Sequence, residues 1–248
     1  MLAPQQVAEN ISRIRSRLDE LSSQHVGLIA VTKTWPRVAM ETATRAGADG
    51  LGENYAQELI SKVGEGRADL APVHFIGGLQ SNKVRMLVSH VDIWQSIDRS
   101  SLLTELGSRY RAWRDADPTV ARPRVLLQVN TTGEAGKSGC DPADLDGLRA
   151  AAVAADCEVL GLMTVGPTDS NPADTEAAFR LLRSLVDQHG LRECSMGMTG
   201  DYERATALGS TMVRIGSAIF RSHCSSPHRH AHRVTHPLAR MAECGREP

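Results

Sequence analysis

The residue best placed to do chemistry in this chain is a lysine that closes an aliphatic run. Leu28-Ile29-Ala30-Val31-Thr32-Lys33 reads as a short β-strand, because aliphatic and β-branched residues fit a pleated, buried surface. A cation at the tip of such a strand is presented to a pocket rather than to open solvent. Desolvation lowers a lysine's pKa, and a neutral amine forms a Schiff base with an aldehyde. Near the other end of the chain lies an anion cradle. Ser195 and Thr199 offer hydroxyls; Gly197, Gly216 and Ser217 offer backbone N–H groups that a phosphate can approach closely; Arg214 offers a permanent cation. Gly216-Ser217-Ala218-Ile219 reads as the opening of a short helix, whose N-terminus favours an anion.

The elements that must position these groups follow from periodicity. Short apolar runs predict strands at 27–33, 49–52, 73–77, 92–97, 124–130, 158–165, 193–198 and 212–220. Helical patterns fall between them, at 37–46, 55–63, 82–88, 100–113, 142–155, 172–189 and 202–208. An amphipathic segment at 4–22, with Val7, Ile11, Ile14 and Leu18 at helical spacing, precedes the first strand. Asp141-Pro142 and Asn171-Pro172 each pair an N-cap with proline at the first helical position, and Asp98 and Ser81 can cap in the same way. Gly47, Gly107 and Gly190 sit where helices should stop. Strands alternating with helices imply parallel pairing and right-handed crossovers. Eight such units in about 250 residues predict a single (β/α)8 TIM-type barrel with an extra N-terminal helix. The competing open, doubly wound sheet lacks a glycine-rich fingerprint after its first strand.

A barrel puts its chemistry at the C-terminal ends of the strands. The distinctive polar residues collect there: Lys33; Glu53 and Asn54; the run from His74 through Gln80-Ser81-Asn82-Lys83; Gln128 and Asn130; Thr164; Ser195 through Thr199; and Arg214 through Ser217. Barrel phosphate sites are often built after strands seven and eight. An amine at strand one and an anion cradle across the barrel at strands seven and eight would be bridged by pyridoxal 5'-phosphate, an aldehyde at one end of a ring and a phosphate near the other. Each residue also has a plainer role open to it. Lys33 could be a structural cation. Arg214 could pair with Asp201 or Glu203. Ser195, Thr199 and Asn54 could cap helices, and Asn82 and Lys83 could belong to a solvated helix start. His74 reads as a hydrogen-bonded core histidine, and Met196 and Met198 as packing residues.

The bulk properties exclude several classes. The 248 residues are 41% hydrophobic and 23% charged with a net charge of −1, so no global charge favours nucleic acid or an anionic membrane. No apolar stretch is long enough for a membrane span, and the N-terminus lacks a signal-peptide pattern. Five cysteines without regular spacing argue against a disulfide framework, and a cytoplasmic location is expected. Residues 1–222 read as one barrel domain. Residues 223–248, rich in histidine and arginine, read as a disordered tail whose spacing matches no zinc pattern.

Several longer motifs carry a resemblance. Ala30-Val31-Thr32-Lys33, Gly52-Glu53-Asn54-Tyr55-Ala56-Gln57-Glu58, His74-Phe75-Ile76-Gly77-Gly78-Leu79-Gln80-Ser81-Asn82-Lys83, Gln128-Val129-Asn130 through Lys137-Ser138-Gly139, Gly161-Leu162-Met163, Ser195-Met196-Gly197-Met198 and Val213-Arg214-Ile215-Gly216 closely resemble the pyridoxal phosphate homeostasis proteins, in that family's order and over residues 5–222. The resemblance implies the barrel of the alanine racemase N-terminal domain, the type III fold of pyridoxal phosphate proteins. It implies that Lys33 holds the cofactor as an internal aldimine. Ser195, Thr199, Gly216 and Ser217 would hold the phosphate, Arg214 would face the pyridine nitrogen, and Asn54, Asn82 and Met196 would line the pocket. A cation opposite the ring nitrogen weakens the ring as an electron sink. The chain departs from the pattern at Val73, where tryptophan is usual, at Thr199-Gly200-Asp201-Tyr202, and in its tail.

The function implied is cofactor storage and delivery, affecting amino-acid and keto-acid balance, without catalytic turnover and with pyridoxal phosphate-dependent apo-enzymes as recipients. The rival is a racemase or decarboxylase of the same barrel. A racemase needs a base on each ring face, and nothing singles out Tyr55, Tyr110 or Tyr202 for that task. A third possibility is a barrel for another phosphorylated ligand, with Lys33 a mere counter-ion. Lacking the racemases' C-terminal β-domain, the chain is expected to be a monomer.

Overall fold

The computed structural model describes residues 3–64 and 66–221. Eight parallel strands close into a barrel in chain order: β1 (Gly27–Val31), β2 (Gly50–Glu53), β3 (Val73–Phe75), β4 (Ile93–Ile97), β5 (Arg124–Gln128), β6 (Glu158–Met163), β7 (Glu193–Ser195) and β8 (Met212–Ile215). Closure pairs β8 with β1, Arg214 beside Ile29 and Ile215 beside Ala30. The crossover helices are α2 (Arg37–Arg45), α3 (Ala56–Val63), α4 (Ser81–Leu87), α5 (Ser100–Ala116), α6 (Leu145–Ala154, entered by a 3-10 turn Pro142–Asp144), α7 (Pro172–Gln188) and α8 (Tyr202–Ala207). α1 (Pro4–Leu21) precedes the barrel and α9 (Ser217–Phe220) comes after β8.

Alternation along each strand divides the core in two. Leu28 and Ala30 point outwards into the layer shared with the helices. Ile29, Ile93, Leu126, Leu160, Met163 and Met212 form a separate cluster inside the barrel. α1 buries Val7, Ile11, Ile14 and Leu18, the stripe its periodicity predicts. Its buried Asn10 donates 2.9 Å to the Ile219 carbonyl, tying α1 to α9 over the seam between β8 and β1.

The predicted caps divide. Asn171 accepts from the backbone N–H groups of Ala173 and Asp174 at 2.9 and 3.4 Å, and Asp141 accepts from Ala143 at 2.9 Å. Asp98 instead pairs with Arg99 at 2.7 Å, and Ser81 lies inside α4. Gly47 and Gly190 come just after their helices at φ +88° and +60°. Gly107 does not stop α5, which runs on to Ala116. A Cβ there would come within 2.3 Å of the Ala155 carbonyl oxygen, so the glycine lets α5 pack closely on the end of α6.

Most strands end sooner than predicted. β1 stops two residues before Lys33, and β8 ends at Ile215 and gives way to α9, so the helix read at 216–219 forms and the strand read through Phe220 does not. At these tips the chain leaves its neighbour's hydrogen-bond ladder while its composition still reads as strand. The closed order corrects a second expectation. The strand-eight side of the anion cradle is not across the barrel from Lys33 but beside it, because closure makes the first and last strands neighbours. Cys140, Cys157 and Cys194 are buried and free. Among the described residues no group of side chains could hold a metal ion, and no helix is long and apolar enough to cross a membrane. The histidine-rich segment lies outside the described residues.

Candidate functional site

A cavity of about 610 Å³ opens at the C-terminal end of the barrel, within the usual size range of small-ligand sites. Its walls bring together six of the residues singled out in the sequence: Lys33, Asn54, Thr199, Arg214, Gly216 and Ser217. Lys33 and Asn54 come from the loops after β1 and β2, and Thr199 from the loop after β7. Arg214 lies near the end of β8, and Gly216 and Ser217 lie where the chain turns into α9. The apolar lining comes from Val31, Trp35, Ile76, Met163, Val165 and Met198. Trp35 also packs on Phe220 of α9, with ring centroids 5.6 Å apart, so the loop carrying Lys33 is braced against the segment that carries Ser217.

Lys33 itself is exposed. The desolvation expected of a strand-end lysine is not supplied by the protein alone, because β1 ends at Val31 and the lysine stands on a turn at the rim. Arg214 is the buried cation. It is 4% exposed; Nη1 donates to Ser195 Oγ at 2.6 Å and Nη2 to the Thr164 carbonyl at 2.7 Å. Burial pushes its pKa down to about 10. Neither carboxylate considered as its partner takes it. Asp201 accepts from the Met198 N–H at 2.6 Å, and Glu203 pairs with Arg17 at 2.9 Å. A buried guanidinium facing a cavity with only neutral contacts calls for an anionic or electron-rich ligand group. Asn54 adds a second call for polar contact, since its Oδ1 is buried without a partner.

Three of the predicted residues do not reach the cavity. Ser195 is fully buried in the barrel interior, where its hydroxyl donates to Gln95 Oε1 at 2.7 Å while accepting from Arg214. Met196, the next residue, points the opposite way by strand alternation and packs in the outer core. Asn82 is exposed in the first turn of α4. The loop after β3 has already carried the chain outwards, and it runs close against the loop after β2: a Cβ on Gly77 would stand 2.0 Å from the Asn54 carbonyl oxygen. His74 is a core histidine. Its Nδ1 lies 2.7 Å from Gln95 Nε2, and burial pushes its pKa down to about 4. The Lys137 motif ties two loops together rather than entering the cavity, with Nζ 2.5 Å from the Gly166 carbonyl and 3.1 Å from Glu134 Oε1. Beside it a second cleft of about 470 Å³ is lined by Thr131, Glu134, Asp169 and Asp174 among others.

Sequence reasoning missed Trp35, Ile76, Gly200 and Arg221 as lining residues. It also missed a buried charge cluster behind Lys33. Lys62 Nζ meets Glu53 Oε1 at 2.7 Å and Glu58 Oε1 at 2.5 Å. The available signal was the Glu58–Lys62 spacing of four on α3, which more often marks a solvated helix face.

The arrangement can hold a small ligand with a carbonyl near an amine and an anionic or electron-rich group near Arg214 and the polar wall at Thr199, Gly216 and Ser217. Comparisons with known proteins point to a family. The family described as alanine racemase, N-terminal domain, matches residues 2–223. A curated relative from Pseudomonas aeruginosa, named pyridoxal phosphate homeostasis protein, is 40% identical over 226 residues, covering 86% of this chain and 94% of that one. The structure of PipY from Synechococcus elongatus with PLP bound has a TM-score of 0.75 and 33% identity, covering 86% of this chain and 99% of PipY. Alanine racemase from Streptomyces coelicolor, 21% identical with a TM-score of 0.67 over 88% of this chain and 58% of its own, shares the fold. The chain belongs to the pyridoxal phosphate homeostasis proteins, built on the alanine racemase N-terminal domain barrel.

Proposed function

We propose that this protein binds pyridoxal 5'-phosphate in the barrel-end cavity as a Schiff base on Lys33, and that it stores and delivers the cofactor without turning over a substrate. The observation that carries this reading is Arg214, a buried guanidinium at the cavity with no carboxylate in contact, on the strand next to the one that leads to Lys33. In this reading Arg214 faces the pyridine nitrogen. As a permanent donor it leaves that nitrogen unprotonated, which weakens the ring as an electron sink. Thr199, Gly216 and Ser217 hold the phosphate, and Asn54 meets the ring's polar edge. The exposure of Lys33 supports exchange, because an open site lets water and incoming amines reach the bond that must break for release.

Two further features favour a carrier over a racemase or decarboxylase. A racemase needs a base on each ring face, and Tyr55, Tyr110 and Tyr202 all lie outside the cavity lining. Tyr202 instead points its hydroxyl towards Glu203, 3.4 Å away. Recipients would be apo-enzymes of pyridoxal phosphate in the cytoplasm, met by a monomer.

The test is the visible spectrum of the purified protein, followed by borohydride reduction and peptide mass mapping. A pyridoxyl mass on the Lys33 peptide is expected. Lys33→Ala should lose that adduct and stay folded, its stability changed by no more than about 0.5 kcal/mol, because the side chain is exposed. A protein that takes up no added pyridoxal 5'-phosphate overturns the reading. Racemisation or decarboxylation of amino acids at enzymatic rates would replace it with the rival.

A further inference from the structure

The two peptide units that flank Lys33 are held by a buried charge cluster that touches neither the cavity nor the lysine side chain. Lys62 of α3 donates from Nζ to the Thr32 carbonyl at 2.8 Å. The same nitrogen meets Glu53 Oε1 at 2.7 Å and Glu58 Oε1 at 2.5 Å. Glu53 is fully buried, and its Oε1 also accepts from Thr32 Oγ1 at 2.6 Å. On the other side of Lys33, the Thr34 N–H donates to Glu58 Oε1 at 2.5 Å. Thr34 has φ +65°, a left-handed backbone that a β-branched residue rarely adopts and that persists only where its surroundings impose it. The turn is completed by the Trp35 N–H donating to the Thr32 carbonyl at 3.1 Å.

This is a costly arrangement for a structural purpose alone. Two ionisable groups, Glu53 and Lys62, are withdrawn from water and a third, Glu58, is partly so; burial pushes the Glu53 pKa up, and Glu53 Oε2 is left without a partner. Hydrophobic residues would fill the same space more cheaply. What the cluster secures is the backbone on both sides of an exposed lysine whose side chain makes no hydrogen bond or ion pair among the described residues. We infer that Glu53, Lys62 and Glu58 are positioning residues for Lys33, fixing the turn from which its amine reaches an aldehyde in the cavity. The inference rests on the cofactor reading above. In the step concerned, the lysine gives its ammonium proton to solvent and its nitrogen adds to the aldehyde carbon. A C=N bond then replaces C=O and the oxygen leaves as water, with no change of oxidation state.

Glu58 is the member to test, because it is partly exposed and its loss leaves the Lys62–Glu53 pair in place. Two ligands separate positioning from folding. Pyridoxal 5'-phosphate can react with Lys33, whereas pyridoxine 5'-phosphate has the same ring and phosphate but a hydroxymethyl group that cannot. Glu58→Ala should slow formation of the reducible adduct on Lys33 by about tenfold or more, a shift expected when a reacting group is misplaced by a fraction of an ångström to an ångström. Its affinity for pyridoxine 5'-phosphate should stay within about twofold of the original. Glu58→Gln keeps an oxygen that can accept from Thr34 and should restore most of the rate. Equal adduct formation in Glu58→Ala and the original protein overturns the inference, as does a parallel loss of both ligands. An original protein with no reducible adduct on Lys33 overturns the cofactor reading, and the positioning role with it, before any variant is compared.

Discussion

Arg214 donates a 2.6 Å hydrogen bond from Nη1 to the hydroxyl of Ser195. The bond is the outer link of a buried polar chain. Ser195 donates onwards to Gln95 Oε1 at 2.7 Å, and Gln95 Nε2 reaches His74 Nδ1 at 2.7 Å. Together these side chains run from the cavity into the barrel interior and fix the plane of the guanidinium. Ser195 therefore acts on the cavity through Arg214, while its only proton is committed to Gln95.

Ser195→Ala should lower stability by about 1–3 kcal/mol in protein free of cofactor, because it strips an acceptor from a buried cation. A serine that served only to hold a phosphate would cost nothing in that state. Denaturant unfolding of the cofactor-free variant and its parent decides between the two roles.

Arg214→Leu removes the buried cation without leaving a charge behind. Hydrogen bonds to charged groups contribute about 1.5–3 kcal/mol, so affinity for pyridoxal 5'-phosphate should fall by roughly ten- to a hundredfold. Equilibrium titration by absorbance measures it. Unchanged affinity would detach Arg214 from the ligand site.

His74 makes stability depend on pH. Its folded pKa, pushed down to about 4 by burial, lies below the ordinary value of about 6.5. Between those values the unfolded chain binds the extra proton. Stability is therefore complete above about pH 6.5 and falls as the pH drops towards 4. At pH 5 the loss from this residue alone is about 2 kcal/mol. Urea unfolding at pH 7 and pH 5 should show it, and His74→Gln should reduce the difference between the two pH values by that amount.

Truncation tests the assignment of residues 1–222 as the binding domain. Arg221, one residue inside that boundary, lines the cavity. A chain ending at Arg221 should bind pyridoxal 5'-phosphate with the affinity of the full chain and give the same reducible adduct. Loss of binding would bring the histidine- and arginine-rich segment into the site.

The sequence by itself determined the number, type and order of the barrel's elements. The alternation of short apolar runs with amphipathic segments is local, and each run carries enough periodicity to declare itself: the Val7, Ile11, Ile14, Leu18 stripe of α1 and the Asn171-Pro172 start of α7 are examples. It also carried, through its motifs, the family and six residues of the cavity wall: Lys33, Asn54, Thr199, Arg214, Gly216 and Ser217. Only the tertiary structure decided the rest. Whether Ser195 faces the ligand or the barrel interior depends on which partner stands opposite, and that partner, Gln95, is a hundred residues away. That Lys33 lies beside the cradle at Arg214 and Gly216, rather than opposite it, depends on closure, which pairs the first strand with the last. That Lys62 is buried behind Lys33 depends on how α3 settles on the ends of β1 and β2. Periodicity is a property of one segment and can be read from it. Register, closure and the desolvation of a charge arise between segments far apart in the chain, so they come into being only when the barrel forms.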